Sequence, residues 1–95
     1  MDQNKLNKAI ELHKVHDFNS AKSLYEEVIS EDDSHYLPFF FLGALELDLR
    51  NYQVAIKYLK QSLEKNANNL HTYLNLGTAY YELKDYQNCK KYYEL

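Results

Sequence analysis

The chain repeats itself with a period of 34 residues, and this period constrains the fold more than any other feature of the sequence. Four sets of residues share the spacing: Gly43 and Gly77; Phe18, Tyr52 and Tyr86; Ala21, Ala55 and Cys89; and Tyr25, Leu59 and Tyr93. A unit of this size is too small to bury its own apolar face, so its copies have to stack to form a continuous core. The sequence therefore predicts a repeat protein whose function resides in a surface shared by the copies.

Each period contains two helical stretches, because apolar residues recur at spacings of three and four and never alternate strictly. Polar turns are predicted within the copies at residues 16–17, 50–51 and 84–85, and between the copies at residues 31–34 and 66–69. The predicted fold is all-α, with antiparallel helix pairs in repeats 2–35, 36–69 and 70–95 of a single domain, residues 1–95. The last repeat is incomplete.

Small residues are predicted where the two helices of a pair approach most closely. Ala9, Gly43 and Gly77 occupy this place on the first helix of each pair, and the set of Ala21, Ala55 and Cys89 faces them. Because glycine inside a helix costs about 1 kcal/mol relative to alanine, its presence in two copies indicates tight helix packing.

The third copy carries the clearest motif. Tyr73, Leu76, Gly77 and Tyr80 follow an aromatic-x-x-Leu-Gly-x-x-Tyr pattern, and Cys89 and Tyr93 follow an Ala-x-x-x-aromatic pattern. The chain resembles the tetratricopeptide repeat family over its whole length. This resemblance implies a right-handed superhelix of antiparallel helix pairs with a concave groove.

The first two copies depart from the family pattern at a few positions. Glu46 stands where the family usually has tyrosine, and Lys5 and Lys8 stand in usually apolar places. Asp33 and Ala67 replace the closing proline of the family repeat. Two lysines are compatible with a first helix whose outer face meets water.

The family resemblance implies a non-catalytic module that binds a peptide or partner protein through first-helix side chains. Gln3 aligns with these groove positions in the first copy. The candidate groove residues are Leu6, Asn7, Ile10, His13, Leu37, Phe40, Phe41, Ala44, Leu47, His71, Leu74, Asn75, Thr78 and Tyr81. Phe39 is assigned to the core, because three adjacent phenylalanines point about 100° apart on a helix and cannot share one face.

Two known binding modes of the family were compared with these positions. The carboxylate clamp of chaperone-binding members would use five places that here hold Leu6, Ile10, Phe41, His71 and Asn75. Since burying a carboxylate without cationic partners is costly, capture of a chaperone's acidic C-terminus is not expected. Members similar to the repeat arm of O-linked N-acetylglucosamine transferase instead grip a peptide backbone with one asparagine per repeat.

Asn7 and Asn75 occupy the position of that asparagine row, and Phe41 interrupts it. One interpretation is coincidence in a chain with nine asparagines. The other is an extended peptide held at two asparagines with an apolar side chain against Phe41.

The sequence offers no convincing site for catalysis, a metal or a cofactor. His13 and His16 have the spacing of some metal pairs, with Asp17 or His35 as a conceivable third ligand, but none is fixed in register. Cys89 replaces a small core residue and lacks a histidine placed by the repeat. The chain is therefore predicted not to be an enzyme.

Charge and hydropathy narrow the partners and the compartment. A net charge of −3 without a basic stripe argues against nucleic acid. The most apolar run, residues 38–49, is interrupted by Glu46 and Asp48 and is shorter than the roughly 20 residues that span a bilayer. The N-terminus does not read as a secretory signal, and the single Cys89 fits a reducing compartment, so a cytoplasmic location is expected.

The last helix is predicted to end before its repeat is complete, leaving an apolar edge at Tyr80, Leu83, Tyr92 and Leu95. Three hypotheses follow. The chain is a peptide-binding adaptor, the N-terminal targeting arm of a larger enzyme such as a glycosyltransferase or methyltransferase, or a self-assembly module forming homo-oligomers through its third repeat.

Overall fold

The computed structural model describes residues 1–94 and contains six helices in that part of the chain. They are α1 (Gln3–Lys14), α2 (Phe18–Glu31), α3 (Tyr36–Asp48), α4 (Tyr52–Lys65), α5 (Leu70–Glu82) and α6 (Tyr86–Tyr93). Residues 1–94 form no β-strand, so the all-α helical repeat predicted from the period is confirmed. None of these helices is long and apolar enough to cross a membrane.

The six helices form three antiparallel pairs that stack side by side in a body of 37 × 25 × 17 Å. The first helices of successive pairs touch each other, α1 with α3 and α3 with α5. The second helices of successive pairs do not touch within residues 1–94, and each instead packs on the first helix of the next pair. The stack therefore curves, with α1, α3 and α5 along its inner face.

The helices within each pair are joined by the same turn in all three repeats. His16, Arg50 and Lys84, spaced 34 residues apart, have φ angles of 65°, 62° and 62°. The next backbone N–H donates to the carbonyl five residues earlier, as Asn51 does to Glu46 at 2.8 Å. This is a Schellman helix end, in which the left-handed residue is usually glycine.

Aspartates that follow these turns start the next helix. Asp17 and Asp85 accept from the backbone N–H groups of Ser20 and Asn88 at 3.4 and 3.2 Å. These N-caps satisfy donors that a helix start leaves unpaired. The predicted polar turns thus both end one helix and begin the next.

The glycines predicted at the closest approach lie directly under side chains of the partner helix. A β-carbon on Gly43 would come within 2.6 Å of Leu59 Cγ, and one on Gly77 would collide with the ring of Tyr93. Leu59 and Tyr93 occupy the same repeat position as Tyr25. Glycine is therefore required because a bulky second-helix side chain fills the space above it.

The first repeat ends the stack with charges. Lys5 Nζ lies 2.9 Å from Glu27 Oε1 and 2.6 Å from Glu31 Oε2, so α1 is held to α2 by ion pairs, and Lys8 is exposed. These lysines replace the apolar residues of the family pattern where no preceding helix within the described chain covers them.

A methyl group at Gly43 is expected to destabilise the fold. Gly43→Ala gains about 1 kcal/mol of helix propensity but forces Leu59 aside, which costs about 1–3 kcal/mol, so a net loss is expected. The free energy of unfolding from urea denaturation measures this. Adding Leu59→Ala removes the obstructing side chain, so the Gly43→Ala change should become neutral or stabilising in that background, and equal losses in both backgrounds would contradict the packing account.

The left-handed turn residue Lys84 offers the opposite experiment. Because glycine adopts this conformation without strain, Lys84→Gly is expected to raise the free energy of unfolding by about 1 kcal/mol. Lys84→Ala keeps the β-carbon and is the matched control, expected to stay near wild type. Equal effects of glycine and alanine would show that the helix end is not strained.

Candidate binding groove on the inner face

Two pockets lie along the inner face of the stack. The first, of 340 Å³, lies between α1 and α3 and is lined by Ile10, His13, Lys14, His16, Phe40, Phe41, Ala44 and Asp48. The second, of 440 Å³, lies between α3 and α5 and is lined by Leu47, Asp48, Arg50, Tyr52, Thr78 and Glu82. Asp48 borders both pockets, so they form one groove across all three repeats.

The structure brings together part of the set predicted for the groove. Five of those residues line the first pocket and two, Leu47 and Thr78, line the second. The others with accessible side chains lie on the same helices outside the two pockets: Gln3, Asn7, Leu37, His71, Leu74, Asn75 and Tyr81. That these residues bind a ligand stays a prediction.

Leu6 does not belong to this surface. Its side chain is only 1% exposed and packs with Ala9, Ala21 and Tyr25 in the core. Its repeat equivalents Phe40 and Leu74 are progressively more exposed. The prediction of Leu6 as a groove residue was wrong, because α3 covers this position in the first repeat.

Aromatic rings form the floor between the first and second repeats. Phe41 stacks on the buried Tyr25 with ring centroids 6.0 Å apart, and Phe40 meets Phe41 edge-on at 5.3 Å. His71 of α5 lies 6.5 Å from Phe40. The two phenylalanines are held in fixed orientations yet remain half-buried, which suits them to receive an apolar side chain.

His13 links the first repeat to the second at this floor. Its Nε2 lies 2.7 Å from Asp48 Oδ2, and its Nδ1 lies 3.2 Å from the Tyr25 hydroxyl. Burial raises the pKa of Tyr25, and the nearby Asp48 carboxylate adds to that effect. With Nε2–H donating to Asp48, the ring accepts from Tyr25, so His13 positions the groove wall.

The histidine pair considered for metal binding is not arranged as ligands. Both ring nitrogens of His13 have protein partners, and His16 stacks on Phe18 at 5.3 Å. Among residues 1–94, no three His, Cys, Asp or Glu side chains are grouped to hold a metal ion.

Sequence reasoning missed the charged rim of the groove. Lys14, Asp48 and Glu82 are 34 residues apart and lie at the turn end of the three inner helices, and Arg50 lies beside the last two. The rim is basic at the first repeat and acidic at the second and third. The same 34-residue register that revealed the fold would have revealed this row.

Sequence reasoning also missed how α3 is fixed against α2. Glu46 is fully buried, with its Oε2 3.1 Å from Lys22 Nζ and its Oε1 accepting from Asn51 Nδ2 at 3.1 Å. The hydrogen bond to Glu46 raises the pKa of Lys22 above its ordinary value. This ion pair explains why the family tyrosine is absent from the second repeat.

The fold and the groove define a helical repeat of the protein-binding type, and the sequence comparison identifies the family. The tetratricopeptide repeat model matches residues 6–69 and 42–88. The chain belongs to the tetratricopeptide repeat family. That family is generally a non-catalytic, protein-interacting fold. A comparison with curated proteins finds no match.

Solved tetratricopeptide structures superpose closely on the chain at low identity. The second TPR of Spaghetti (RPAP3), bound to the HSP90 peptide SRMEEVD, has a TM-score of 0.92 and 19% identity over 96% of this chain and 84% of that one. The Arabidopsis OM64 TPR domain has a TM-score of 0.93 and 22% identity, covering 97% and 76%. PcrH, in complex with the chaperone binding region of PopD, has a TM-score of 0.93 and 13% identity, covering 97% and 69%.

Breaking the Lys22–Glu46 pair from one side is expected to loosen the first repeat from the second. Lys22→Met leaves a buried carboxylate without its cation and should lower the free energy of unfolding by about 2–4 kcal/mol. Lys22→Met with Glu46→Gln removes the charge as well and should recover part of the loss. An additive double mutant in urea denaturation would show that the two residues are not coupled.

Proposed function

We propose that the chain is a non-catalytic interaction module that binds an extended peptide segment of a partner protein in its inner groove. The observation that carries this proposal is the half-buried pair Phe40 and Phe41 on the floor of a groove that crosses all three repeats. Such a surface is concave, largely apolar and bordered by a few oriented polar groups, which is the usual form of a binding site.

The relatives of known structure support this use of the fold. The second TPR of Spaghetti was solved with a heptapeptide, and PcrH with a segment of PopD. In this chain the positions of a carboxylate clamp hold mostly apolar residues, so the ligand differs from an acidic C-terminus. Binding by an apolar side chain against the phenylalanines is proposed instead.

The polar residues indicate how the rest of the peptide is held. Asn75 is half-buried and Asn7 exposed on the inner helices, and each amide can both donate to and accept from a peptide backbone. The acidic rim at Asp48 and Glu82 favours a basic residue at one end of the peptide, and Lys14 favours an acidic one at the other. The charges thereby give the bound segment a direction.

Selection from a random dodecapeptide phage library tests the proposal. Peptides selected on the wild-type chain are expected to share an aromatic or large aliphatic residue and to bind with micromolar affinity, as modest non-obligate contacts do. Ala44→Arg places a long side chain on the floor of the first pocket without removing a core contact. It should weaken binding at least about tenfold.

The matched control places the same side chain on the outer face. Gln87→Arg on α6 adds one charge at an exposed position and should bind the selected peptides as the wild type does. Circular dichroism checks that both variants are folded. If the two arginine variants lose binding equally, or neither does, the groove is not the binding site.

A further inference from the structure

One repeat position is buried in the first two pairs and exposed in the third. Tyr25 and Leu59 are 0% exposed, whereas their equivalent Tyr93 is 48% exposed. The neighbouring inner-helix positions behave the same way, since Leu74 and Tyr81 are 43% and 51% exposed. Together with Lys90 these three residues form the C-terminal edge, defined here as Leu74, Tyr81, Lys90 and Tyr93.

The first repeat shows what covers such an edge. The ring of Phe41 on α3 stacks on Tyr25, nearly parallel at an angle of 4°. Five residues further along α3, the Glu46 carboxylate pairs with Lys22 at 3.1 Å. The incoming helix is therefore recognised through an aromatic ring and a carboxylate at positions i and i+5.

The C-terminal edge repeats the two receiving residues of the first pair. Lys90 and Tyr93 stand at the positions of Lys22 and Tyr25, whereas the second pair has Ile56 and Leu59 there. Lys90 makes only a surface contact of 4.0 Å to Glu94 on its own helix, which holds it weakly. The edge thus carries the chemistry that receives α3 in the first repeat.

We propose that the C-terminal edge docks an amphipathic helix of another polypeptide that presents an aromatic residue and, five residues later, a glutamate. The aromatic ring stacks on Tyr93 as Phe41 does on Tyr25, and the glutamate pairs with Lys90. Leu74 and Tyr81 are covered by the apolar face of the same helix. This site lies at the end of the stack and is separate from the groove.

A second copy stacked head to tail does not fit this edge. Its first repeat would bring Asn7 to the place of Phe41 and Leu12 to the place of Glu46. It would also bury Lys8 where α3 has the core residue Leu42, and an unpaired buried ammonium is costly. Charge complementarity therefore favours a helix with the α3 pattern over another copy of this chain.

A synthetic peptide with the sequence of residues 35–50 is the probe. Phe40→Gln and Leu47→Lys make it soluble, because both side chains pack toward the other cluster of the core and not toward Tyr25, and Gly43→Ala raises its helicity. Fluorescence anisotropy with the full chain is expected to show saturable, micromolar binding. The Lys90→Glu chain should bind it about tenfold more weakly, because two like charges then face each other.

Charge reversal on both sides separates a specific pair from general stickiness. A peptide that also carries Glu46→Lys should bind the wild-type chain weakly and the Lys90→Glu chain about as well as the original pair. Lys91→Glu is the matched protein control, and Ala44→Arg is the groove control; both should bind the original peptide like the wild type.

Three outcomes would overturn the proposal. The first is no binding, and the second is binding that Lys90→Glu leaves unchanged or that charge reversal fails to restore. The third is a dimer of the chain in sedimentation velocity that Lys90→Glu dissociates, which would assign the edge to a second copy. Lys90 is exposed and its substitution is compatible with folding, which circular dichroism verifies for each variant.

Discussion

The close approach of the two helices at Gly43 and Gly77 is the constraint on which the rest of the structure depends. At each glycine a large side chain from the second helix, Leu59 or Tyr93, lies where a β-carbon would be. This contact fixes the two helices of a pair at short range, and the fixed pair can then stack as a unit. Because only the first helices of successive pairs touch within residues 1–94, tight pairs produce a curved stack and hence a groove.

Within that constant frame, single positions change chemistry from one repeat to the next. The position of Glu46 holds leucine in the first repeat and tyrosine in the third, yet only the glutamate takes part in an ion pair, to Lys22. The rim position changes from Lys14 to acidic residues in the later repeats. The fold therefore derives from what the repeats share, whereas recognition derives from where they differ.

The period predicted the fold well, because helix pairing and stacking are properties of every copy. Helix type, turn positions and the glycine contacts all followed from residues that recur at 34. Errors arose where the environment of a position depends on its place in the stack. Leu6 is buried because α3 covers it, although its equivalent Leu74 is exposed.

The predicted apolar edge shows the same dependence on stacking. Tyr80 is buried and Tyr92 stacks on it at 5.6 Å, so neither forms the open edge, and Leu95 lies outside the described residues. Tyr93, which was assigned to the core, is exposed instead. The Lys22–Glu46 pair was also missed, because a single sequence does not show which helix faces of successive repeats meet.

The central claim is that stacked helix pairs create a groove that receives an extended peptide on their inner face. Backbone amide chemical shifts, recorded by NMR during titration with a peptide selected on the chain, test this claim most directly. The account predicts the largest changes on α1, α3 and α5, centred on Phe40, Phe41 and Ala44. Changes concentrated on α2, α4 and α6 would contradict it.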